Sequence, residues 1–392
     1  MVGSRLGSSH TLPLLIALGV PMSPVEKPIL LLTCGDPAGI GPEVVVKSWD
    51  ATPAHARARL RVVADAGMLA DVLAERAGLP RLTIESIGPG DPRDSSPERL
   101  LVIAPESSRA APVSKKIATF PRVTAGLVSA AGGASAAAAV ETAARLVLEG
   151  LARGIVTGPL HKAALHAAGI DVPGHTEMLA RACGLPDSAV SMMLWLPMPA
   201  GPAGVGGLGV VHVTLHESLS GAVARLTTEG IEQAGTRLAV LLASLLGRRP
   251  RIAIAALNPH AGESGLFGDE ESRLIIPAVR RLTEAGIDAT GPLPADTLFL
   301  RASRGEFDGV VAQYHDQGHI PIKLLGMHRA VNITLGLPLV RTSVAHGTAF
   351  DIVGTGAADP ESMLAAIDAA VRLTEAGWPG PSQPTAAAAS ET

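Results

Sequence analysis

The sequence has 392 residues, of which 47% are hydrophobic and 17% charged, and its formal net charge is −4. This composition excludes a wholly disordered chain, and the length suffices for two domains. The near-neutral charge and an aromatic content of 2% argue against a nucleic-acid-binding protein. No apolar run reaches the roughly 18 residues of a membrane span. Two cysteines make no disulfide framework, so we expect a cytoplasmic protein without membrane partners.

The two ends of the chain differ from the rest. Arg5 and the apolar stretch 12–21 resemble a weak signal peptide, but no A-x-A cleavage motif follows them. We therefore interpret residues 1–27 as an additional or disordered N-terminal extension, with a signal peptide as the alternative. Residues 379–392 form a Pro/Ala/Ser tail, which we expect to be disordered.

Between these ends, short apolar runs alternate with longer segments of helical periodicity. The predicted strands are Ile29–Thr33, Leu60–Ala64, Leu100–Ile103, Gly154–Thr157, Val190–Leu196, Gly209–Thr214, Ile252–Leu257 and Asp308–Gln313. The predicted helices are Pro42–Ser48, Ala134–Glu149, Lys162–Ala168, Glu177–Ala182, Ile231–Leu246, Glu270–Ala285 and Pro360–Ala376. This alternation predicts an α/β fold with mostly parallel sheets covered on both faces.

We expect two α/β/α domains with the active site in the cleft between them. The first would comprise residues 28–160 and 335–378, and the second residues 161–334. The Gly/Pro-rich segment Pro199–Gly209 lies between two predicted strands and indicates a hairpin or a flexible loop. It contains a G-x-G-x-x-G pattern, but a strand follows where a dinucleotide-binding site needs a helix, so we reject a Rossmann site.

Three predicted strands each lead to a histidine, namely His216, His260 and His315. Ligands of open α/β sheets bind beyond the carboxyl ends of the strands. Three imidazoles at such ends can coordinate a divalent metal, and we favour this hypothesis over three unrelated loop histidines. His212 shares a strand with His216, and we interpret it as structural.

Other polar residues are candidates for the same site. Asp296 and Asp316 can orient a ligand or accept a proton, or they can be helix N-caps. Several further residues suit an anion, because a helix N-terminus binds phosphate and Lys and Arg are its usual partners. The anion candidates are His175, Thr176, Lys323, Asn332 and Arg341, with ordinary surface charges as the alternative.

Taken together, these blocks resemble the 4-hydroxythreonine-4-phosphate dehydrogenase family. The matching segments are GDPAGIGPE (35–43), TGPLHKAALHAAGI (157–170), PGHTE (173–177), LNPHAGESGLFGDEE (257–271), GPLPADTLF (291–299), YHDQGHIPIK (314–323) and VNITLGLPLVRTSVAHGTAFD (331–351). The resemblance implies a fold like that of isocitrate and isopropylmalate dehydrogenases. It also implies a metal- and NAD(P)-dependent oxidation of a phosphorylated hydroxy acid, followed by decarboxylation.

The resemblance also implies roles for individual residues. His216, His260 and His315 would bind one divalent metal ion, such as Zn, Mg, Mn or Co. The anion candidates above would contact the substrate and its phosphate, and Asp296, Asp316 or Lys162 would handle protons. The family forms a homodimer whose subunits share each active site, with dimerisation through the second domain.

The cofactor signal is a segment similar to the dinucleotide-binding loop of the isocitrate dehydrogenase group. It implies that NAD or NADP contacts His346, Gly347, Thr348, Ala349 and Asp351. Two stretches, His212–Leu219 and His319–Lys323, depart from the biosynthetic pattern. They leave open a sister enzyme that oxidises 4-phospho-D-erythronate or D-threonate. A metal-dependent hydrolase and a non-catalytic small-molecule-binding protein are the alternatives of other classes.

Overall fold

The computed structural model describes residues 26–106, 120–201 and 204–378. The predicted N-terminal extension and the predicted C-terminal tail lie outside these ranges, apart from Glu26 and Lys27. Within the described ranges, no helix is long and apolar enough to cross a membrane.

The described strands form a single sheet of 12 strands. They are β1 (Ile29–Thr33), β2 (Arg59–Val63), β3 (Thr83–Ser86), β4 (Arg99–Ile103), β5 (Gly154–Thr157), β6 (Ser191–Gly201), β7 (Gly204–His212), β8 (Arg251–Ala255), β9 (Asp288–Leu293), β10 (Gly309–Ala312), β11 (Val331–Leu335) and β12 (Val340–Val344). Their order across the sheet is β3-β4-β2-β1-β5-β12-β11-β6-β7-β10-β8-β9.

The helices cover this sheet. They are α1 (Gly41–Ala51), α2 (Ala66–Glu75), α3 (Ala130–Leu148), α4 (Lys162–Ala167), α5 (His175–Ala182), α6 (Leu219–Arg225), α7 (Thr228–Leu246), α8 (Ile276–Glu284), α9 (Ala295–Ser303), α10 (His315–Gly326) and α11 (Glu361–Glu375). A π-helical turn, Glu271–Ile275, leads directly into α8.

Local sequence explains where the long helices begin and end. The Thr227 side chain accepts a hydrogen bond from the Gly230 N–H (3.0 Å) and caps α7, which ends at Gly247 with a left-handed φ of 68°. Ser129 caps α3 in the same way through the Gly132 N–H, at 3.1 Å. Such caps satisfy backbone groups that the helix itself leaves unpaired, so the helix boundaries follow from single residues.

The predicted α/β class and the mostly parallel sheet are confirmed. The described residues of the Gly/Pro-rich segment lie in β6 and β7, which pair antiparallel, as the hairpin alternative predicts. The sequence did not predict β3, β9, β11 or β12. Two of these, β11 and β12, carry Asn332 and Arg341, polar residues that mask the apolar pattern of a strand. Helices α2, α6, α9 and α10 were also missed, and α10 contains Pro321, which interrupts a helical pattern.

Strand directions divide the sheet into two blocks. β1, β5 and β12 run parallel to one another, whereas β7, β10 and β8 form a second parallel set. The antiparallel pairs β12–β11, β11–β6 and β6–β7 separate them, so the second set runs opposite to the first. Buried strand residues of both blocks, such as Leu30 of β1 and Val211 of β7, belong to one apolar cluster. The division into two domains stays a prediction.

Candidate active site

His216 and His315 lie close together beyond the carboxyl ends of neighbouring strands. His216 follows β7 and His315 is the first residue of α10, directly after β10. β7 and β10 are adjacent and parallel, and the two imidazole centroids are 5.7 Å apart. Both rings line a cavity of about 510 Å³ that is formed by Leu215, His216, Glu217, Leu219, Ala222, Tyr314, His315 and Asp316. Two of the three predicted metal ligands therefore share one cavity.

Asp316 orients the ring of His315. Its Oδ1 lies 2.6 Å from His315 Nδ1, while Tyr314 is the N-cap of α10. A carboxylate on one imidazole nitrogen leaves the other, Nε2, free as a metal ligand. Asp316 is therefore not a helix cap, and neither is Asp296, since Pro294 is the N-cap of α9. Asp296 is exposed in the first turn of α9.

Two further histidines, His319 and His212, lie next to this pair. His319 stacks on His315 with ring centroids 3.7 Å apart, and its Nδ1 lies 3.0 Å from His212 Nε2. His212 lies inside the sheet and is buried, as expected. Burial, together with the neighbouring imidazoles, holds the pKa of His212 well below its usual value. Burial likewise lowers the pKa of His319, to about 4. The i, i+4 spacing of His315 and His319 would have identified this contact if α10 had been predicted.

His260 does not join this group. It follows β8, the other neighbour of β10, but its loop takes an unusual course. His260, Ala261, Glu263 and Ser264 all have positive φ values between 42° and 58°. Left-handed backbone costs roughly 1–2 kcal/mol for each non-glycine residue, so the loop is strained. Among the residues that the structure describes, no three His, Cys, Asp or Glu side chains are grouped to hold a metal ion.

The charges around His216 come from the first block of the sheet. Burial lowers the pKa of His216, and the positive charge of Lys162 at the start of α4 adds to this effect. The negative charge of Glu177 on α5 opposes it. Lys162 and Glu177 are therefore near enough to act on the histidine pair, although they follow a different set of strands.

Arg341 forms the centre of the predicted anion site. It lies on β12 and is only 4% exposed. Its Nη1 donates to Thr334 Oγ1 at 3.0 Å and its Nη2 donates to Thr157 Oγ1 at 2.8 Å, while its buried Nε has no partner within the described residues. Burial lowers the pKa of Arg341 to about 10, against the opposing charge of Glu177.

His175 lies near Arg341 at the beginning of α5. Burial and the positive charge of Arg341 hold its pKa well below the usual value, so the ring is neutral. Its Nε2 is buried and unpaired within the described ranges. Thr176 follows it in the same helical turn and is partly exposed. A buried guanidinium, an unpaired imidazole nitrogen and a helix N-terminus together suit an anion.

The remaining anion candidates are more dispersed. Asn332 lies on β11, next to the strand of Arg341, and its Nδ2 donates to the Val344 carbonyl at 3.3 Å. Its buried Oδ1 is unpaired within the described residues. Lys323 is exposed on α10, and its charge contributes to the lowered pKa of His319. Lys323 therefore lies on the histidine side of the site, and Asn332 on the arginine side.

The predicted cofactor segment forms a loop after β12. The Thr348 carbonyl accepts a hydrogen bond from the Ile40 N–H (3.0 Å), so this loop packs on the glycine-rich segment after β1, residues 35–41. Ala349 is left-handed with φ 43°, and Asp351 is exposed. A Cβ on Gly39 would lie 2.8 Å from the Thr348 carbonyl oxygen, so the contact requires glycine there.

This loop offers groups that suit a dinucleotide. His346 Nδ1 lies 2.9 Å from the Gly347 carbonyl, and its buried Nε2 has no partner among the described residues. The Phe350 ring stacks on His161, with centroids 4.9 Å apart. His161 immediately precedes Lys162, whose charge acts on His216. The contact between Phe350 and His161 thus places the loop next to the segment that carries Lys162.

A second cavity, of about 550 Å³, lies beside the glycine-rich segment and α2. Among the charged side chains that line it, Arg76 pairs with Glu43 at 3.1 Å, and Arg122 pairs with Asp71 and Glu75. The histidine cavity is the candidate site, because His216 and His315, two of the predicted metal ligands, both line it.

Known proteins resemble this chain over most of its length. The sequence profile of the family described as pyridoxal phosphate biosynthetic protein PdxA matches residues 56–370. A 4-hydroxythreonine-4-phosphate dehydrogenase of Beijerinckia indica is 46% identical over 349 residues, which are 88% of this chain and 94% of that protein. A D-threonate 4-phosphate dehydrogenase of Cupriavidus necator is 44% identical over 346 residues, which are 87% of this chain and 95% of that protein.

Solved structures of dehydrogenases also resemble the structure of this chain. The crystal structure of 4-hydroxythreonine-4-phosphate dehydrogenase from Klebsiella pneumoniae has a TM-score of 0.71 and 40% identity, and the match covers 88% of this chain and 99% of that one. A terephthalate 1,2-cis-dihydrodiol dehydrogenase from Burkholderia xenovorans has a TM-score of 0.58 and 30% identity, over 89% and 98% of the two chains. The resemblance stated from the sequence is confirmed, and the chain belongs to the PdxA family of dehydrogenases.

Proposed function

We propose that this chain is a metal- and NAD(P)-dependent dehydrogenase that oxidises the hydroxyl of a 4-phosphorylated hydroxy acid. The resulting β-keto acid then loses CO2. The observation that carries the proposal is the cavity that His216 and His315 line together. The charges of Lys162 and Glu177 act on His216, and the charge of Glu177 also acts on Arg341. We favour 4-phosphohydroxy-L-threonine as the substrate, as the Beijerinckia relative's name indicates, with D-threonate or D-erythronate 4-phosphate as the alternative.

The substrate phosphate is assigned to the anion site. Arg341 and His175 supply buried nitrogens without protein partners in the described residues. Thr176 adds a hydroxyl at the start of α5, and Asn332 and Lys323 add an amide and an ammonium group. Lys323 lies on the side of the site that carries the histidines, so its positive charge suits the carboxylate or the phosphate of a substrate that enters the cavity.

The metal is assigned to His216 and His315, with His260 of the partner subunit as the third ligand. Two imidazoles in one cavity, one of them oriented by a carboxylate, fit two ligands of such a site. A divalent ion such as Zn, Mg, Mn or Co would lower the pKa of the reacting hydroxyl and stabilise the enolate left by CO2. His260 cannot serve its own chain's pair in this arrangement, which supports a shared site.

A homodimer explains the exposed apolar side chains around this site. Leu324 is 82% exposed and Ile320 55% on α10, and Leu266 is 71% exposed in the loop of His260. Large apolar surfaces that flank an incomplete site are typical of a subunit interface. A second copy of the chain would cover these residues and deliver its own His260.

Lys162 is the group we assign to proton transfer. Asp316 is already bonded to His315, whereas Lys162 is exposed and its charge acts on His216. Asp296 stays a candidate for orienting the substrate hydroxyl. The loop of His346, Gly347, Thr348, Ala349 and Asp351 would hold NAD or NADP, whose nicotinamide would supply the acceptor for the hydride.

The assay for this proposal is NAD(P)H formation, followed by absorbance, with each divalent metal. We would compare 4-phosphohydroxy-L-threonine, D-threonate 4-phosphate and D-erythronate 4-phosphate, with His315→Ala as the inactive control. Turnover of the amino acid would assign the biosynthetic reaction, and turnover of the other two alone would assign sugar-acid catabolism. Hydrolysis without NAD(P)H formation would contradict the proposal and favour the hydrolase alternative.

A further inference from the structure

The loop that carries His260 is the most strained backbone segment of the described chain. Five consecutive residues, 260–264, have left-handed dihedral angles, and only Gly262 among them is a glycine. The loop is also mostly exposed, so a hydrophobic core does not hold it in place. Such a conformation persists only where neighbouring groups determine it.

Glu271 is the group that holds this loop. It is 4% exposed, and its Oε1 accepts hydrogen bonds from the Leu257 N–H (2.9 Å) and the Asn258 N–H (2.7 Å). Its Oε2 accepts from Asn258 Nδ2 at 2.9 Å. These bonds fix the backbone just after the chain leaves β8, two residues before His260. A buried carboxylate is costly to desolvate, and here backbone and amide N–H groups compensate it instead of a cationic side chain.

Gly262 closes over the same carboxylate. A Cβ at this position would lie 2.7 Å from Glu271 Oε2, so the middle of the loop rests directly on the acid. Glu271 also begins the π-helical turn before α8, an irregularity that often marks functional positions. The entry and the middle of the strained loop therefore both depend on one side chain.

We propose that Glu271 is a positioning residue that fixes the left-handed loop and thereby presents His260 to the active site of the partner subunit. The inference rests on the proposed function, because it assumes that His260 is a metal ligand. Without the carboxylate, the N–H groups of Leu257 and Asn258 would form hydrogen bonds to water instead. The loop would then leave its left-handed conformation. The His260 imidazole would then leave its place even though the residue itself is intact.

The test compares Glu271→Gln with Glu270→Gln. Glu270 is the matched control, because it is the adjacent acid and bonds only the Asn258 side-chain amide, at 2.7 Å. In Glu271→Gln, one carboxylate oxygen is replaced by an NH2 group, which cannot accept a hydrogen bond. This group would face either Asn258 Nδ2 or the two backbone N–H groups, and the hydrogen bonds on that side would be lost. We expect Glu271→Gln to weaken Mn²⁺ or Zn²⁺ binding to the metal-free dimer by about 10- to 100-fold, as for other groups that orient ligands. Glu270→Gln should change it less than about threefold, well below that range.

Two additional readouts separate positioning from a general structural role. Amide hydrogen exchange in Glu271→Gln should speed up in residues 257–271 and stay unchanged elsewhere. The double variant His260→Ala/Glu271→Gln should bind metal no more weakly than His260→Ala alone, because Glu271 acts only through His260. Additive losses in the double variant would overturn the inference.

The two proposals fail in different ways. If His260→Ala binds metal as tightly as the wild type, the proposed ligand set is wrong. If His260→Ala weakens binding and Glu271→Gln does not, the ligand set stands and the role of Glu271 is refuted.

Discussion

A guanidinium buried inside a sheet needs compensation, and Arg341 has only part of it. Its two terminal nitrogens donate to threonine hydroxyls, its Nε is unpaired in the described structure, and Glu177 supplies an opposing charge. Hydrogen bonds to a charged group contribute about 1.5–3 kcal/mol each. A phosphate would supply the missing acceptor and charge, so we assign the specificity for phosphorylated substrates to this residue.

Replacement of Arg341 by Met should therefore act on substrate binding. We expect the KM for the phosphorylated acid to rise by about 10- to 100-fold, which corresponds to the loss of one charged hydrogen bond. The kcat should fall less, and the preference over the non-phosphorylated acid should shrink. Steady-state kinetics with both acids measures this. Arg237→Met removes another partly buried guanidinium outside the site and is the control; an equal KM in both variants would refute the assignment.

The sequence predicted individual residues better than their grouping. His216 and His315 follow adjacent parallel strands, and their positions at strand ends indicated that they would meet. The separation of His260 could not be predicted, because it results from left-handed backbone that no composition rule encodes. His319 was missed because its contact with His315 depends on a helix that contains a proline.

Helix α10 is the element that assembles the histidines. It begins at His315, carries His319 one turn later and lies on β7 and β10 through Gly318. A Cβ on Gly318 would lie 2.4 Å from His212 Nε2 and 3.0 Å from the Ala312 side chain. Glycine is therefore required at this point for the helix to approach the sheet closely enough.

A Gly318→Ala substitution should push α10 away from the sheet. We expect a loss of about 1–3 kcal/mol in the free energy of unfolding, the usual result of overpacking, together with weaker metal binding. Thermal denaturation and metal titration measure both effects. Gly88→Ala is the control, since a Cβ there meets nothing within 4 Å. Equal stability of the two variants would mean that the close approach of α10 is not required.

The sheet consists of two strand sets of opposite direction, and the candidate site residues follow strands of both sets. The proposed cofactor loop follows β12, and His216 and His315 follow strands that run the other way. Hydrophobic periodicity predicted the α/β class because most strands are apolar throughout. It did not predict the reversal through β11 and β12, where buried polar residues replace the apolar pattern.

If two subunits share each active site, mixed dimers of two inactive variants should regain activity. His216→Ala and His260→Ala subunits would each be inactive alone, because every site lacks one ligand. Their heterodimer would have one intact site, since one chain supplies His216 and His315 and the other supplies His260. After random reassociation we expect about a quarter of the wild-type rate of NAD(P)H formation, because half the dimers carry one working site of two. Heterodimers that form without any recovery of activity would contradict the account.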